Sequence, residues 1–428
     1  MYKDRRMTRR MAGVLKARLP DAGLGNVPEP RKARGKRWRL RTILKACLAA
    51  IASGSKSLAE TESLTEEMSP AIARMLGVNR RIPDTTMRGL LVRLAPCGLR
   101  GCLHRQTKAA KRRKALEPEK LPFGVVAIDG KCTAIEAWDW KYAQRKTCPE
   151  GKRLYGLVRT LTCSLVSSSS KVCIDAVPIP TWTNEMGHFQ KALRGLVRTY
   201  GRSLFRVVST DAGMCSEANA KAVKAEGKDY LFCIKNDQPS LLAEAMRLLR
   251  YAEQTLAETV DVVGVYEVRR RLYKTEEMAG YLDWDHLRTA LRVESSKVEI
   301  STGEEVEHED RYFISSLEAA ELSDEQWLYM VRQHWAVENQ CHHTWDTVFE
   351  EDERPWIKQD PQGTLVVMLL RRIAYNMLAL FRSVSQRSQE RRQTPWRDII
   401  RRMYIMMIGA DEADVSGLRA RKGLAAIG

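Results

Sequence analysis

Phe123-Gly-Val-Val-Ala-Ile-Asp129 is the stretch on which the fold turns: an unbroken apolar run, of the kind that makes a strand buried on both faces, closed by a carboxylate. Leu204-Phe-Arg-Val-Val-Ser-Thr-Asp211 repeats the device further along the chain. One aspartate closing one strand is ordinarily a turn former. Two of them gain meaning from a third carboxylate, Glu338, inside a long helical stretch at 327–349 rich in Trp, His and Arg. On a helix starting near Asp324, residues Trp327, Val331, His334, Glu338, His342 and Trp345 recur at three- and four-residue steps. The spacing therefore predicts that Glu338 faces the protein, flanked by rings. An unpaired charge there is costly, so it needs a partner such as Arg332 or Arg371, or a metal. The tryptophans of this stretch fit a core better than a base-stacking platform. Three converging carboxylates repel one another unless cations fill the gap, and a hard divalent ion suits an all-oxygen set. Two such ions are equipment for hydrolysing or transferring phosphodiesters.

The elements around these carboxylates give an order. A strand at 125–129 is followed by strands at 154–167 and 171–179, with Ser167-Ser-Ser-Ser170 as their turn. A helix at 185–200 presents Phe189, Leu193, Leu196 and Val197 on one side; strand 205–211, helix 216–226 and strand 230–234 follow. The order βββαβαβ is that of an RNase H-like mixed sheet with flanking helices, an α/β class in which ligands bind where strands end. The interval between Asp211 and Glu338 exceeds what one helix and one strand need. Residues 262–273 and 287–293 alternate apolar and charged, and a turn at Thr302-Gly303 is flanked by 298–300 and 312–314, so a β-rich insertion is predicted at 255–317. Ser323-Asp-Glu-Gln326 caps the Glu338 helix.

In front of this core, residues 38–120 are predicted as a helical domain. Leu40, Ile43, Leu44, Cys47 and Ile51 share a face; Ser57-Leu-Ala-Glu60 is a capping box; Ser69-Pro70 opens a helix that Gly77 closes. After Ile82-Pro-Asp84 another helix turns Met87, Leu90, Leu91 and Leu94 inward and leaves Thr85, Thr86, Arg88 and Arg93 outside. A helical bundle fits these spacings better than a helix-turn-helix reader, whose turn would be long. Residues 105–120 read as a charged connector. Residues 1–37 read as a basic arm, mobile when alone, and 383–428 as a basic helical tail with a Gln/Arg/Ser-rich loop at 383–393. The core is thus divided into 121–254, the insertion at 255–317, and 318–382 with the Glu338 helix.

The 428 residues carry 71 Lys and Arg against 53 Asp and Glu, a formal charge of +18. That excess favours a polyanion, and nucleic acid is the commonest. A membrane surface is the rival, but Lys45 breaks the apolar run at 43–52 and Arg371-Arg372 follows the one at 365–370, so no uninterrupted span is predicted. No secretion signal follows the charged N-terminus, and ten scattered cysteines lack a metal or disulfide framework. The pattern reads as reduced thiols in a cytoplasm.

Several motifs, in order, carry a resemblance. Arg332-Gln-His-Trp-Ala-Val-Glu338-Asn resembles the Arg-x-His-Trp-x-Ile-Glu-Asn segment of H-repeat-type insertion-sequence transposases of the DDE superfamily, and His342, Asp346 and Phe349-Glu-Glu-Asp352 keep that family's spacing. Ala127-Ile-Asp-Gly-Lys131 resembles its Ile-Asp-Gly-Lys strand end, and Ser209-Thr-Asp-Ala212 its second aspartate. Gly227-Lys-Asp-Tyr230 through Lys235-Asn-Asp-Gln-Pro239, and Tyr312-Phe-Ile-Ser-Ser-Leu317, are similar to further family segments. Pro30-Arg-Lys-Ala-Arg-Gly-Lys-Arg37 and Ile82-Pro-Asp84 resemble the associated helical domain. His343 stands where the family usually has Trp, no Arg follows Gly264, and 133–153 diverges.

The resemblance implies that Asp129, Asp211 and Glu338 are the metal-binding, catalytic triad, with Mg²⁺ or Mn²⁺, and that strands are cut and transferred by 3′-hydroxyl attack. It implies DNA contacts from Lys131, Lys235, Gln238, Arg332, His334, Asn339 and His342. Double-stranded DNA, the element's terminal inverted repeats and its target, would be the partner, met by a homodimer or larger assembly at the nucleoid of a prokaryotic cytoplasm. Two other readings stay open: a metal-dependent nuclease that cuts without joining, and a non-enzymatic DNA-binding protein derived from a transposase.

Overall fold

The computed structural model describes residues 5–33, 36–148, 151, 153–386 and 392–416. Ten strands form one mixed sheet: β1 (Val125–Ile135), β2 (Ala143–Thr147), β3 (Leu154–Leu165), β4 (Cys173–Pro178), β5 (Val207–Thr210), β6 (Asp229–Ile234), β7 (Ala257–Val263), β8 (Tyr266–Thr275), β9 (Thr289–Glu299) and β10 (Glu305–Ser315). Their order is β2-β3-β1-β5-β6-β10-β9-β8-β7, with β4 pairing β3 off this path. Only β1, β5 and β6 run parallel to one another; the remaining pairs are antiparallel.

Strand alternation sorts the central side chains between two faces. Val126, Ile128, Val208 and Phe232 go to one face with Phe189, Leu193 and Leu196 of α7 (Glu185–Tyr200), Val223 of α8 (Glu217–Ala225) and Leu241 of α9 (Pro239–Leu249). Val125, Ala127, Val207, Leu231 and Phe313 go to the other, against Trp327, Leu328 and Val331 of α10 (Asp324–His334). Burying each such side chain is worth roughly 1.5–3 kcal/mol, so register is strongly fixed where both faces are covered.

Several expectations change. The strand at Asp129 does not stop there: β1 pairs with β3 from Val126↔Leu165 through Asp129↔Thr162 to Ile135↔Gly156. Beyond Asp129 it alternates buried Lys131, Thr133 and Ile135 with exposed Cys132 and Ala134, a polar inward face that hides the strand from an apolar pattern. The segment read as one strand at 262–273 is a hairpin, broken where Gly264 takes φ +63. Strands β7 to β10 extend the main sheet, and β10 is seated directly on β6 through Tyr312↔Ile234.

The helices before the sheet do not stand apart. The helices α2 (Leu40–Ala52), α3 (Leu58–Glu67), α4 (Pro70–Leu76), α5 (Asp84–Leu91) and α6 (Pro96–Arg112) share one core with two late helices, Pro361–Leu380 and Trp396–Gly409. The connector expected at 105–120 is helical as far as Arg112, because Leu99, Leu103, Gln106 and Ala110 form a buried face. The arm expected to be mobile contains α1 (Arg5–Arg18), whose Met11, Ala12 and Leu15 are fully buried. Met7, Met11 and Leu15 fall at four-residue steps between the arginines, and the helix lies against Trp396–Gly409. Residues 34–35 of the basic motif, 387–391 of the Gln/Arg/Ser-rich loop and 417–428 of the tail lie outside the described residues. The helical stretch 361–385 is long and apolar enough for a membrane span, yet its most apolar 18 residues are wholly buried in the protein.

Candidate active site

Strand β5 lies beside β1 in parallel, with Ile128 opposite Thr210, so Asp129 and Asp211 come next on adjacent strands, whose spacing is about 4.8 Å. Here the chains diverge. β1 continues, whereas β5 ends and Asp211, still extended, leads into a short 3-10 turn at Ala212–Met214. Asp129 Oδ1 accepts the Gly130 N–H at 2.8 Å, and its Oδ2 lies 3.4 Å from His342 Nδ1. Asp211 Oδ1 is buried and has no hydrogen-bond partner among the described residues. An orphaned buried carboxylate oxygen is costly and calls for a ligand or an ion.

The third carboxylate arrives from helix α10. Ser323 caps that helix and Gln326 completes the box, as the spacing predicts. The α-helical register then fails: Val337–His342 form a π-helical turn before α11 (His343–Thr347) resumes. Single π turns inside helices are rare and cluster at functional sites. Trp327, Val331, His334, His342 and Trp345 are buried as the stripe predicts, but Glu338 is exposed, because the wider turn rotates it out of the stripe. It opens onto a cleft of about 490 Å³ that Arg270, Lys297, Arg311, Arg332, Trp335 and Asn339 also line.

The three carboxylates nonetheless feel each other. Burial first, then the charges of Asp211 and Glu338, push the Asp129 carboxyl up to about 8. Asp211 is also raised by burial, against the pull of the Met214 and Gly213 amides and the Lys235 ammonium. A fourth carboxylate, absent from the sequence reading, joins them. Glu185 opens helix α7 behind its cap Asn184, whose Oδ1 accepts the Gly187 N–H at 2.9 Å. A Cβ at Gly130 would sit 2.0 Å from Glu185 Oε1, so the glycine next to Asp129 is the notch that admits this carboxylate. Burial and then Asp211 raise the Glu185 carboxyl. Among the described residues no three His, Cys, Asp or Glu side chains are gathered tightly enough to hold an ion as they stand. The donor set is all oxygen, with one oxygen unsatisfied, and that fits a hard cation.

The residues expected at DNA divide. Lys235 and Asn339 are exposed, and Gln238 donates to the Cys215 carbonyl at 3.1 Å. Lys131 is buried and ion-paired to Asp346 and Asp352, while Thr133 donates to Asp352, so this strand is fastened to the segment after Glu338. Arg332 pairs with Asp261 of β7 at 2.6 Å. His334 is buried with Nδ1 2.8 Å from Ser209 Oγ, and burial followed by Arg311 lowers it to about 4. His342 Nε2 lies 3.0 Å from Thr162 Oγ1; burial, Arg372 and Lys131 lower it to about 3, so its imidazole beside Asp129 is neutral. Lys131, His334 and His342 are thus buried behind the site, whereas Arg332, half-buried, lines the cleft onto which Glu338 opens. Deeper still, fully buried Glu351 pairs with Arg372, whose guanidinium carbon lies 3.8 Å from the centre of the Trp345 ring.

A family model described as a transposase DDE domain matches residues 121–377, more than half of the chain. The protein YbfL of Escherichia coli K12 is 24% identical over 339 residues, covering 76% of this chain and 82% of its own. The "H repeat-associated putative transposase YhhI" of the same organism is 26% identical over 162 residues, 35% of this chain and 41% of its own. Among solved structures, a piggyBac transposase synaptic complex with hairpin DNA aligns over 95% of this chain and 82% of that one, at 11% identity and a TM-score of 0.43.

Proposed function

The chain belongs to the transposase DDE-domain family, and from that premise we propose that it cuts and rejoins DNA strands at an RNase H-like core into which β7 to β10 are inserted. One observation carries the reading: Asp129 and Asp211 follow in-register residues of two parallel strands, and one Asp211 oxygen is buried without a partner among the described residues. Asp129, Asp211 and Glu338 would hold Mg²⁺ or Mn²⁺. Such ions, when bound, activate an attacking oxygen and stabilise a leaving one.

The chain's own residues do the rest. Neutral His342 and the Gly130 amide fix the two Asp129 oxygens without neutralising them. Glu338, an exposed side chain of the half-buried π turn, would be the carboxylate that completes the set from the helix side. Lys235, Gln238 and Asn339 stand at the rim, where they would meet the phosphate backbone. The +18 charge and a basic cleft of about 790 Å³, lined by Arg105, Lys108 and Arg112 on α6, suit double-stranded DNA and a homodimer that brings two element ends together. The setting would be a prokaryotic cytoplasm at the nucleoid, in keeping with ten free thiols.

The test is a strand-transfer assay with purified protein, Mg²⁺ and DNA bearing the element's own ends. Nicked and joined products are expected from wild type, and at least a hundredfold less from Asp129→Asn or Asp211→Asn. Equal products from the Asp129→Asn protein would end the proposal; cutting without joining of a supplied 3′-hydroxyl end would convert it to a nuclease.

A further inference from the structure

Far from the tryptophans of the core, two others lie open to solvent. Trp140 is 76% exposed and Trp182 is 66% exposed, and they stack on each other with ring centroids 5.9 Å apart at 17°. Trp138, 42% exposed, stands two residues away with the Arg145 guanidinium 5.4 Å over its ring. Exposed aromatic surface of this extent is uncommon on a monomer and marks an interaction site.

The platform is rigid. Asp139 Oδ1 accepts the amides of Lys141, Tyr142 and Ala143, which folds the loop that carries Trp140. The Thr181 hydroxyl donates to the Trp140 carbonyl, and the Thr181 amide to the Lys141 carbonyl, tying the two tryptophan loops together. Arg159 on β3 donates to the Thr183 carbonyl at 2.6 Å and holds the second loop to the sheet. Rings held this way lose little freedom when a flat partner stacks on them.

Charge and place identify the partner. Cations outnumber anions beside the rings: Lys141 and Arg145 are exposed and Lys146 half-buried, against exposed Glu136 and half-buried Asp139, whose Oδ1 accepts three backbone amides. Trp182 lies three residues before Glu185, the carboxylate seated in the Gly130 notch beside Asp129. We propose that the Trp140–Trp182 pair, with Trp138 and Arg145 beside it, is a stacking platform for unpaired bases of single-stranded DNA next to the carboxylate site. Indole faces take any base and basic side chains track the phosphates, the combination that binds single strands without reading sequence. The assignment rests on the DNA-acting reading above, but not on catalysis.

The experiment is fluorescence anisotropy on the full chain with an oligothymidylate strand and, separately, a blunt duplex. Trp140→Ala and Trp182→Ala should each bind the single strand about tenfold more weakly and the duplex unchanged, with Trp140→Phe keeping most of the affinity. Single-strand affinity equal to wild type in both alanine variants overturns the platform. So does a fall in sedimentation coefficient without a change in single-strand affinity, which would make this face a contact between copies. Wild-type protein that binds the strand through these rings but cleaves nothing would sink the proposed reaction and leave the platform standing.

Discussion

Asp129 is a buried carboxyl held near its neighbours' charges, and this makes its titration a reporter for the site. Burial, Asp211 and Glu338 raise it from 3.8 to about 8. Between those values the folded protein keeps a proton that the unfolded chain has released, so stability falls as pH rises through the window. Metal-free protein should therefore melt at lower temperature at pH 8 than at pH 5, Mg²⁺ should raise the melting point most at pH 8, and Asp129→Asn should flatten the slope. Calorimetry across that range decides it; an Asp129→Asn protein with the wild-type slope would refute the assignment. Asp129 and Asp211 were legible in the sequence because each closes an apolar run that only a central strand explains. Glu185 was not: an acid in the first helical turn after an Asn cap reads as an ordinary partner of the helix dipole. Only the missing Cβ at Gly130, a contact between distant segments, reveals where its carboxylate goes.

At the level of elements, the Glu338 segment shows both what periodicity gives and where it stops. The cap at Ser323 and the buried faces of Trp327, Val331, His334 and Trp345 follow from spacing. The π turn does not, since one added residue per turn leaves no compositional trace, and Glu338 on that turn is exposed where the spacing predicts it buried. The inward polar face of β1 was hidden for a related reason: Lys131 and Thr133 are buried against carboxylates that follow Glu338, and no local pattern announces such pairing. What anchors that segment is the contact of Glu351 with Arg372 on helix Pro361–Leu380, both fully buried. Arg372→Met would strand a buried carboxylate whose remaining cation, Arg371, is 3.9 Å away. A loss of about 3 kcal/mol in urea unfolding is expected, since breaking a buried pair costs far more than never building it. A change under 1 kcal/mol would mean that Glu351 is held by something else.

For the whole molecule, charge and architecture pull in one direction. With 71 cationic side chains against 53 anionic ones, binding to duplex DNA should release many counterions. Its affinity should fall about a thousandfold or more between 50 and 200 mM salt. Filter binding over that range tests this, and an affinity indifferent to salt would rule out grip by the basic surface. The overall α/β order was readable because strands and helices alternate with clear periods. The union of the first helices with the last was not, because nothing in either stretch names its distant partner.

That union has a bearing on birth. Helix α1 lies far upstream of Trp396–Gly409, the helix against which its Met11 and Leu15 are buried. At translation speeds of about 5–20 residues per second, the earlier helix waits roughly 20–80 s for its cover. Throughout that interval a basic, apolar-faced segment hangs beside the ribosome with its docking surface unmade. The helical layer can close only once synthesis has passed Gly409, so a chain stopped before that helix would emerge with the layer open.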